Sequence, residues 1–161
     1  MAIASVLTDS FKTELMKGGH NFNTPGGTPA GNAFKLALYT SSANLGTTTT
    51  VYATTNEVTN ASGSAYVAGG KALTNTGVTT STVTSHTDFS DLSVANGTAW
   101  TSASFTTRGC LIYNTTAVSG FTTNRAVCSI DFGGDKTVSN GTFSIEFPTN
   151  SSSAAIIRLT S

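Results

Sequence analysis

The chain has 161 residues, of which only 10% are charged, and its formal net charge is zero. With 38% hydrophobic residues, it is long enough and apolar enough to fold around a core, so we do not expect a disordered protein. A neutral chain without a basic cluster lacks the electrostatic attraction that nucleic-acid binding requires, which excludes nucleic acid as a partner. No segment approaches the roughly 20 apolar residues of a membrane-spanning helix, so we also expect no membrane association.

The N-terminal segment, residues 1–19, predicts a short amphipathic helix. Apolar residues recur there at every fourth position, at Ile3, Leu7, Phe11 and Leu15. Thr8 is a candidate N-cap, and Gly18-Gly19 would end the helix. The helix either closes one end of the domain or contacts a partner through Leu7, Phe11 and Leu15. No basic region precedes the apolar residues, so we expect no signal peptide.

Residues 20–33 are predicted to form a loop, because two prolines and several glycines interrupt any regular structure. The β body then covers residues 34–161, and its first strand, Phe34–Thr40, alternates apolar and polar side chains. Gly133–Asp135 and Asn140–Gly141 predict turns. Less regular strands are predicted at Val51–Thr55, Ala65–Ala68, Lys71–Leu73, Gly77–Phe89, Trp100–Phe105, Phe143–Phe147 and Ala154–Leu159.

The stretch Thr107–Asn114 is apolar on both faces of a strand. Cys110 and Ile112 would point to one side of the sheet, and Leu111 and Tyr113 to the other. Such a strand lies in the middle of a sheet or between two layers. We therefore expect a central hairpin with Arg125–Gly133.

The register of this hairpin decides where the two cysteines lie. Folding the chain back about Ser119 places Leu111 opposite Val127 and Cys110 opposite Cys128. The cysteines would then form either a cross-strand disulfide or two buried free thiols, and a reducing compartment favours the thiols.

Taken together, these elements predict an all-β fold, a single domain over residues 1–161. About eight short strands would form a two-sheet β-sandwich, or a jelly-roll-like arrangement, with one short N-terminal helix. Because no repeat of fixed period occurs in the sequence, solenoids and propellers are excluded.

The sequence holds few residues that could carry chemistry. We expect no enzymatic activity, no cofactor and no metal site, because no nucleophile motif, His-rich motif or phosphate-binding loop occurs. His20 and His86 are interpreted as polar surface residues, and the Asp131–Asp135 segment as a turn. Trp100 is either a core aromatic or, in a sugar-binding protein, the residue that stacks on a glycan.

Several segments together resemble a family of small virion proteins from tailed bacteriophages of aquatic bacteria and cyanobacteria. The segments that carry the resemblance are residues 8–18, 34–43, 52–58, 66–71, 100–105, 108–114 and 131–136. The resemblance implies a β-sandwich protein present in many copies on the particle, a capsid decoration (cement) protein. We expect it to pack on the major capsid protein or other virion proteins as a homotrimer. Because no signal peptide is expected, we also expect it to be made in the host cytoplasm.

Two alternatives stay open from the sequence. The protein could belong to the tail, collar or fibre base of the particle instead of the shell. It could also be a module that binds host glycans through Trp100.

Overall fold

The structure is a computed structural model that describes residues 2–59 and 63–161. Strands make up 43% of it, with a single short helix in the described part. The elements are β1 (Val6–Leu7), α1 (Asp9–Met16), β2 (Phe34–Tyr39), β3 (Lys71–Leu73), β4 (Asn75–Ser81), β5 (Thr84–Phe89), β6 (Trp100–Asn114), β7 (Arg125–Phe143) and β8 (Ile157–Thr160).

The strands form two sheets in which every pair is antiparallel. The first sheet has five strands in the order β1-β7-β6-β2-β3, and the second has three in the order β4-β5-β8. Aromatic and aliphatic side chains of both sheets meet in one core cluster, which includes Phe34, Phe89 and Ile157. The predicted all-β sandwich with one short helix is confirmed.

The central strand is buried on both faces, as its pattern predicts. Cys110 and Ile112 belong to the core cluster between the sheets. Leu111 and Tyr113 belong to a second cluster on the other face, where the N-terminal residue Ile3 packs with Leu45 and other residues of the loop after β2. The first sheet is therefore covered on both sides along this strand.

The predicted hairpin register is wrong by two residues. Cys110 lies opposite Ile130, Leu111 opposite Ser129 and Ile112 opposite Cys128. A shift of two keeps these side chains on their predicted faces, because side chains alternate with a period of two. Towards the turn, beyond a bulge between Ile112 and Tyr113, the shift is one residue. In the observed register Cys110 and Cys128 are no longer opposite each other, and both are buried free thiols.

The helix is shorter than the apolar repeat predicts. Thr8 is its N-cap, and its hydroxyl accepts a hydrogen bond from the Phe11 amide at 3.2 Å. The residues before it do not continue the helix: Val6 and Leu7 pair with β7, and Ile3 bridges to Leu45. The open edge of β7 accepts this segment as a strand, which satisfies its backbone groups as well as a helix would.

Several loops and turns also differ from the prediction. Gly77–Phe89 is a hairpin of β4 and β5 that reverses before Thr84. Neither Gly133 nor Asn140 ends a strand: β7 runs through both, which have positive φ of 75° and 45°. In a long paired strand such residues produce bulges that twist it without breaking the pairing. The other strand predictions change as follows: Ala65–Ala68 forms no strand, Val51 makes only an isolated bridge to Arg125, Ile145 only an isolated bridge to Leu92, and the last strand begins at Ile157.

We expect replacement of Gly70 by alanine to destabilise the fold strongly. Gly70 has φ of 68°, and an added Cβ would overlap the carbonyl oxygen of Leu36 in the neighbouring strand. The backbone conformation alone costs about 1–3 kcal/mol for a residue with a side chain, and the overlap adds to it. Urea denaturation of Gly70→Ala should show this loss.

Gly26 provides the matched control, because its φ is not positive and a Cβ there meets no atom within 4 Å. Gly26→Ala should leave the free energy of unfolding within about 0.5 kcal/mol of the parent. Equal stabilities of the two variants would contradict the packing described at Gly70.

Candidate functional site

Trp100, the candidate for stacking on a sugar, lies in the core. It is 2% exposed, and its ring centroid lies 5.9 Å from that of Phe143 and 6.2 Å from that of Tyr66. The Lys71 amine lies 5.3 Å from the centroid of the Trp100 ring. A sugar needs a free aromatic face, and this ring has none, so of the two interpretations of Trp100 the structure supports a core aromatic and not a residue that stacks on a glycan.

The predicted partner surface of Leu7, Phe11 and Leu15 faces the protein's own interior. Phe11 is 1% exposed, and its ring packs on those of His20 and Phe22 with centroid distances of 5.0 and 5.9 Å. Leu7 and Leu15 are half-buried against the same core cluster. The interface prediction is therefore wrong for Phe11, and α1 closes one end of the sandwich, which is the other interpretation that the sequence allowed.

His20 is buried, which corrects its interpretation as a surface residue. Its Nε2 lies 2.9 Å from Glu14 Oε2, and its Nδ1 lies 3.1 Å from Asn114 Nδ2. A neutral ring that donates from Nε2 and accepts at Nδ1 satisfies both contacts. Burial lowers the pKa of His20, the Glu14 hydrogen bond opposes this, and the nearby Arg125 charge adds to the lowering.

Arg125 belongs to the same cluster and is completely buried. Its guanidinium donates to the carbonyl of Gly19 at 2.7 Å and to that of Thr122 at 2.6 Å. Its Nε lies 3.9 Å from the Glu14 carboxylate. The cluster thus ties the end of α1 and the loop after it to the central hairpin, and its polar atoms serve structure.

A second buried carboxylate, Glu57, is held by donors on two sides. Tyr66 and Tyr52 donate hydroxyl hydrogen bonds to it at 2.6 and 2.7 Å, and the Gly69 amide donates at 2.7 Å. Burial, followed by the hydrogen bond to Glu57, raises the pKa of both tyrosines. Both carboxylate oxygens are occupied, so Glu57 anchors the long loop after β2 to the segment before β3.

The remaining buried histidine and acids are also engaged by the protein itself. His86, 4% exposed and expected at the surface, has its Nδ1 2.7 Å from the Asn150 amide oxygen. Asp88 accepts from the amides of Phe89 and Ile156, and burial raises its pKa. Arg108 donates two hydrogen bonds to Asp131, at 2.7 and 3.1 Å. Among the described residues, no three acids, histidines or cysteines cluster closely enough to hold a metal ion.

The most distinctive surface feature is an apolar groove on the flank where β7 and the segment before β8 face each other. We call it the flank groove. It has a volume of about 500 Å³, and its lining is predominantly apolar: Cys110, Ile130, Phe132, Phe143, Ile145, Phe147, Pro148 and Ile156, with Lys136, Ser144 and Glu146. A smaller apolar depression continues it past Ile130 and Ile156 towards β1. No pattern in the sequence marked this groove, because its walls come from elements distant in the chain.

The flank groove opens beside an unpaired strand edge. One edge of β7 pairs with β6 from Arg125 to Phe143, with a break between Asp131 and Lys136. On the other edge β1 pairs only with Ser129 and Cys128. In the part of the chain that the structure describes, no strand covers this edge from Phe132 to Phe143. Backbone groups on this edge are therefore open to another chain, apart from the Gly133 amide, which donates to Asp131 Oδ1 at 2.9 Å.

We expect Tyr66→Phe to lower the free energy of unfolding by about 2 kcal/mol, since it leaves buried polar groups without a partner. The Tyr66 hydroxyl donates to Glu57 and accepts from the Leu38 amide at 2.9 Å. Thr106→Val is the control, because the Thr106 hydroxyl bonds to the Thr137 hydroxyl at 2.8 Å in an exposed position, where water can replace it. Equal, small losses for both variants in urea denaturation would contradict the role given to Tyr66.

The lowered pKa of His20 gives a pH dependence with a definite sign. Below the ordinary value of 6.5 the unfolded chain binds a proton that the folded protein resists. The contribution of His20 to the free energy of unfolding is fully present above pH 6.5. It is lost as the pH falls towards the lower pKa that His20 has in the folded protein. The difference in unfolding free energy between the parent and His20→Gln, measured by urea denaturation, should therefore shrink on acidification. A difference independent of pH would contradict this assignment.

The helix α1, the single one in the described part of the chain, is not long and apolar enough to cross a bilayer. Comparisons of the chain with models of protein families, with curated proteins and with solved structures found no match.

Proposed function

We propose that this protein is a non-catalytic structural subunit of a bacteriophage particle: a decoration protein that packs on the major capsid protein and stabilises the shell. We further propose that it works as a homotrimer, within the virion. In this role it binds protein surfaces, and neither nucleic acid nor membrane is a partner.

The observation that carries the proposal is the flank groove beside the free edge of β7. Phe132, Phe143 and Phe147 line it and are only partly buried. Contiguous exposed apolar surface in a protein marks a site of contact with another molecule. The unpaired backbone beside it favours a protein partner over a small molecule, because backbone hydrogen bonds are what a second polypeptide supplies.

Two sequence properties support the same role. The segments that resemble tailed-phage virion proteins are spread along the chain from residue 8 to residue 136 and include parts of β6 and β7. The low content of charge, 10% of residues, also favours assembly, because interface cores are depleted in charged side chains. Many copies bound across neighbouring subunits would multiply weak individual contacts.

Copy number per particle tests the proposal. Gel densitometry of purified particles should show hundreds of copies, in a constant ratio to the major capsid protein. Removal of the protein should lower the temperature at which the shell opens. Small multiples of three or six copies would place the protein in the tail or collar instead, and absence from particles would reject the virion role.

A charge placed in the flank groove tests whether this surface makes the contact. We expect particles assembled with Phe132→Asp to carry far fewer copies, because a buried unpaired carboxylate opposes binding. Val94→Asp is the control, since Val94 is 64% exposed and lies outside the groove. Circular dichroism should confirm that both variants fold. If particles carry Phe132→Asp in the parent copy number, the contact with the capsid lies on another surface.

A further inference from the structure

We propose that the occupant of the flank groove is an extended strand of a different polypeptide, which adds to the free edge of β7 and carries an acidic side chain opposite Lys136. This inference rests on the proposed assembly role and names how the partner is bound.

The geometry of the edge favours a strand. The first sheet already accepts one short strand there, because β1 pairs antiparallel with β7 at Ser129 and Cys128. The Ser5 hydroxyl then accepts from the Asp131 amide at 3.0 Å, and the chain leaves the edge towards Leu45. The edge beyond bends at the Gly133 bulge, and up to Phe143 it has no strand beside it in the described part of the chain. A partner strand of average length, about 5–6 residues, would fit along it.

The interior beneath the edge favours apolar side chains on that strand. The groove extends from the β7 edge inward to Cys110 on the central strand and to Ile156 on the opposite wall. Alternate side chains of a strand point to the same face of the sheet. Every second side chain of an added strand would therefore enter the groove, while its backbone completes the hydrogen-bonding pattern of β7.

The unpaired Lys136 at the groove favours a carboxylate beside it and disfavours pairing with a second copy at that point. Lys136 borders the groove among apolar residues, and within the described residues no carboxylate lies within 4 Å of its amine. Glu146 is the other charged residue at the groove and forms no ion pair with it. Two copies paired edge to edge about a twofold axis near Lys136 would bring like charges together. Lysines on exposed edges oppose such self-pairing, whereas an acidic partner residue would be attracted.

The test uses synthetic peptides as probes and the full chain as the receptor. The first peptide has about ten residues, with threonine alternating with valine and the central valine replaced by glutamate. A second peptide has lysine in place of the glutamate. A third keeps the glutamate but carries N-methyl groups on alternate amides, which removes the donors that pair with β7. Fluorescence anisotropy measures binding, and amide hydrogen exchange locates it.

We expect the glutamate peptide to bind about tenfold more tightly than the lysine peptide, and the N-methylated peptide not to bind. Lys136→Glu should reverse the preference. The control Lys17→Glu, which changes an exposed lysine on α1's C-terminal side, should keep it. Binding should slow exchange within residues 132–143.

Three results would overturn the inference. They are no binding of any peptide, a preference that Lys136→Glu leaves unchanged, and slowed exchange at β3 or β8 in place of β7. Slowed exchange in residues 132–143 that depends on protein concentration alone would identify a second copy as the occupant. If the protein is abundant in particles but binds no peptide, the proposed function stands and only the inference of a partner strand is rejected.

Discussion

The pairing of β6 with β7 is the constraint on which the rest of the structure depends. The two strands stay paired from Asn114 and Arg125 to Trp100 and Phe143, and their inner halves are buried on both faces. β2 pairs with β6, β1 pairs with β7, and α1 packs on β7. A strand buried on both faces must have both sides covered, and this requirement brings the second sheet to one side and the loop after β2 to the other.

The few charged residues of the chain contribute to this arrangement out of proportion to their number. Glu57, Asp88 and Arg125 are all buried, and each makes hydrogen bonds to backbone groups of loops. Loops of this kind expose backbone amides and carbonyls that must find partners when they are buried. A buried ion that satisfies two or three such groups fixes a loop more firmly than a hydroxyl can, because hydrogen bonds to charged groups are stronger. These hydrogen bonds tie the described parts of the long connections to the sheets.

The flank groove exists because the two sheets end differently. On the side of β3 and β4, consecutive residues connect the sheets and close the gap between them. On the opposite side β7 extends past the end of β1 while β8 is a short strand. Phe132 and Phe143 on outer β7 pack against the core but are only partly buried, and they line the opening. The groove is therefore apolar because its lining residues border the core.

The sequence by itself determined the class of fold, the central strand with its two apolar faces, and the N-cap at Thr8. These are local properties, since the alternation of side chains and the capping preference are set by neighbouring residues. Only the tertiary structure decided the register of the hairpin, the pairing of Val6 and Leu7 with β7, the burial of Trp100 and His20, and the flank groove. The register depends on a bulge at Ile112 and Tyr113, and β1 depends on an edge supplied by residues more than a hundred positions away. His20 is buried because Glu14 and Asn114 satisfy its ring, and the groove joins β7 to Ile156. Such contacts join residues far apart in the chain, and no local pattern encodes which of them will meet.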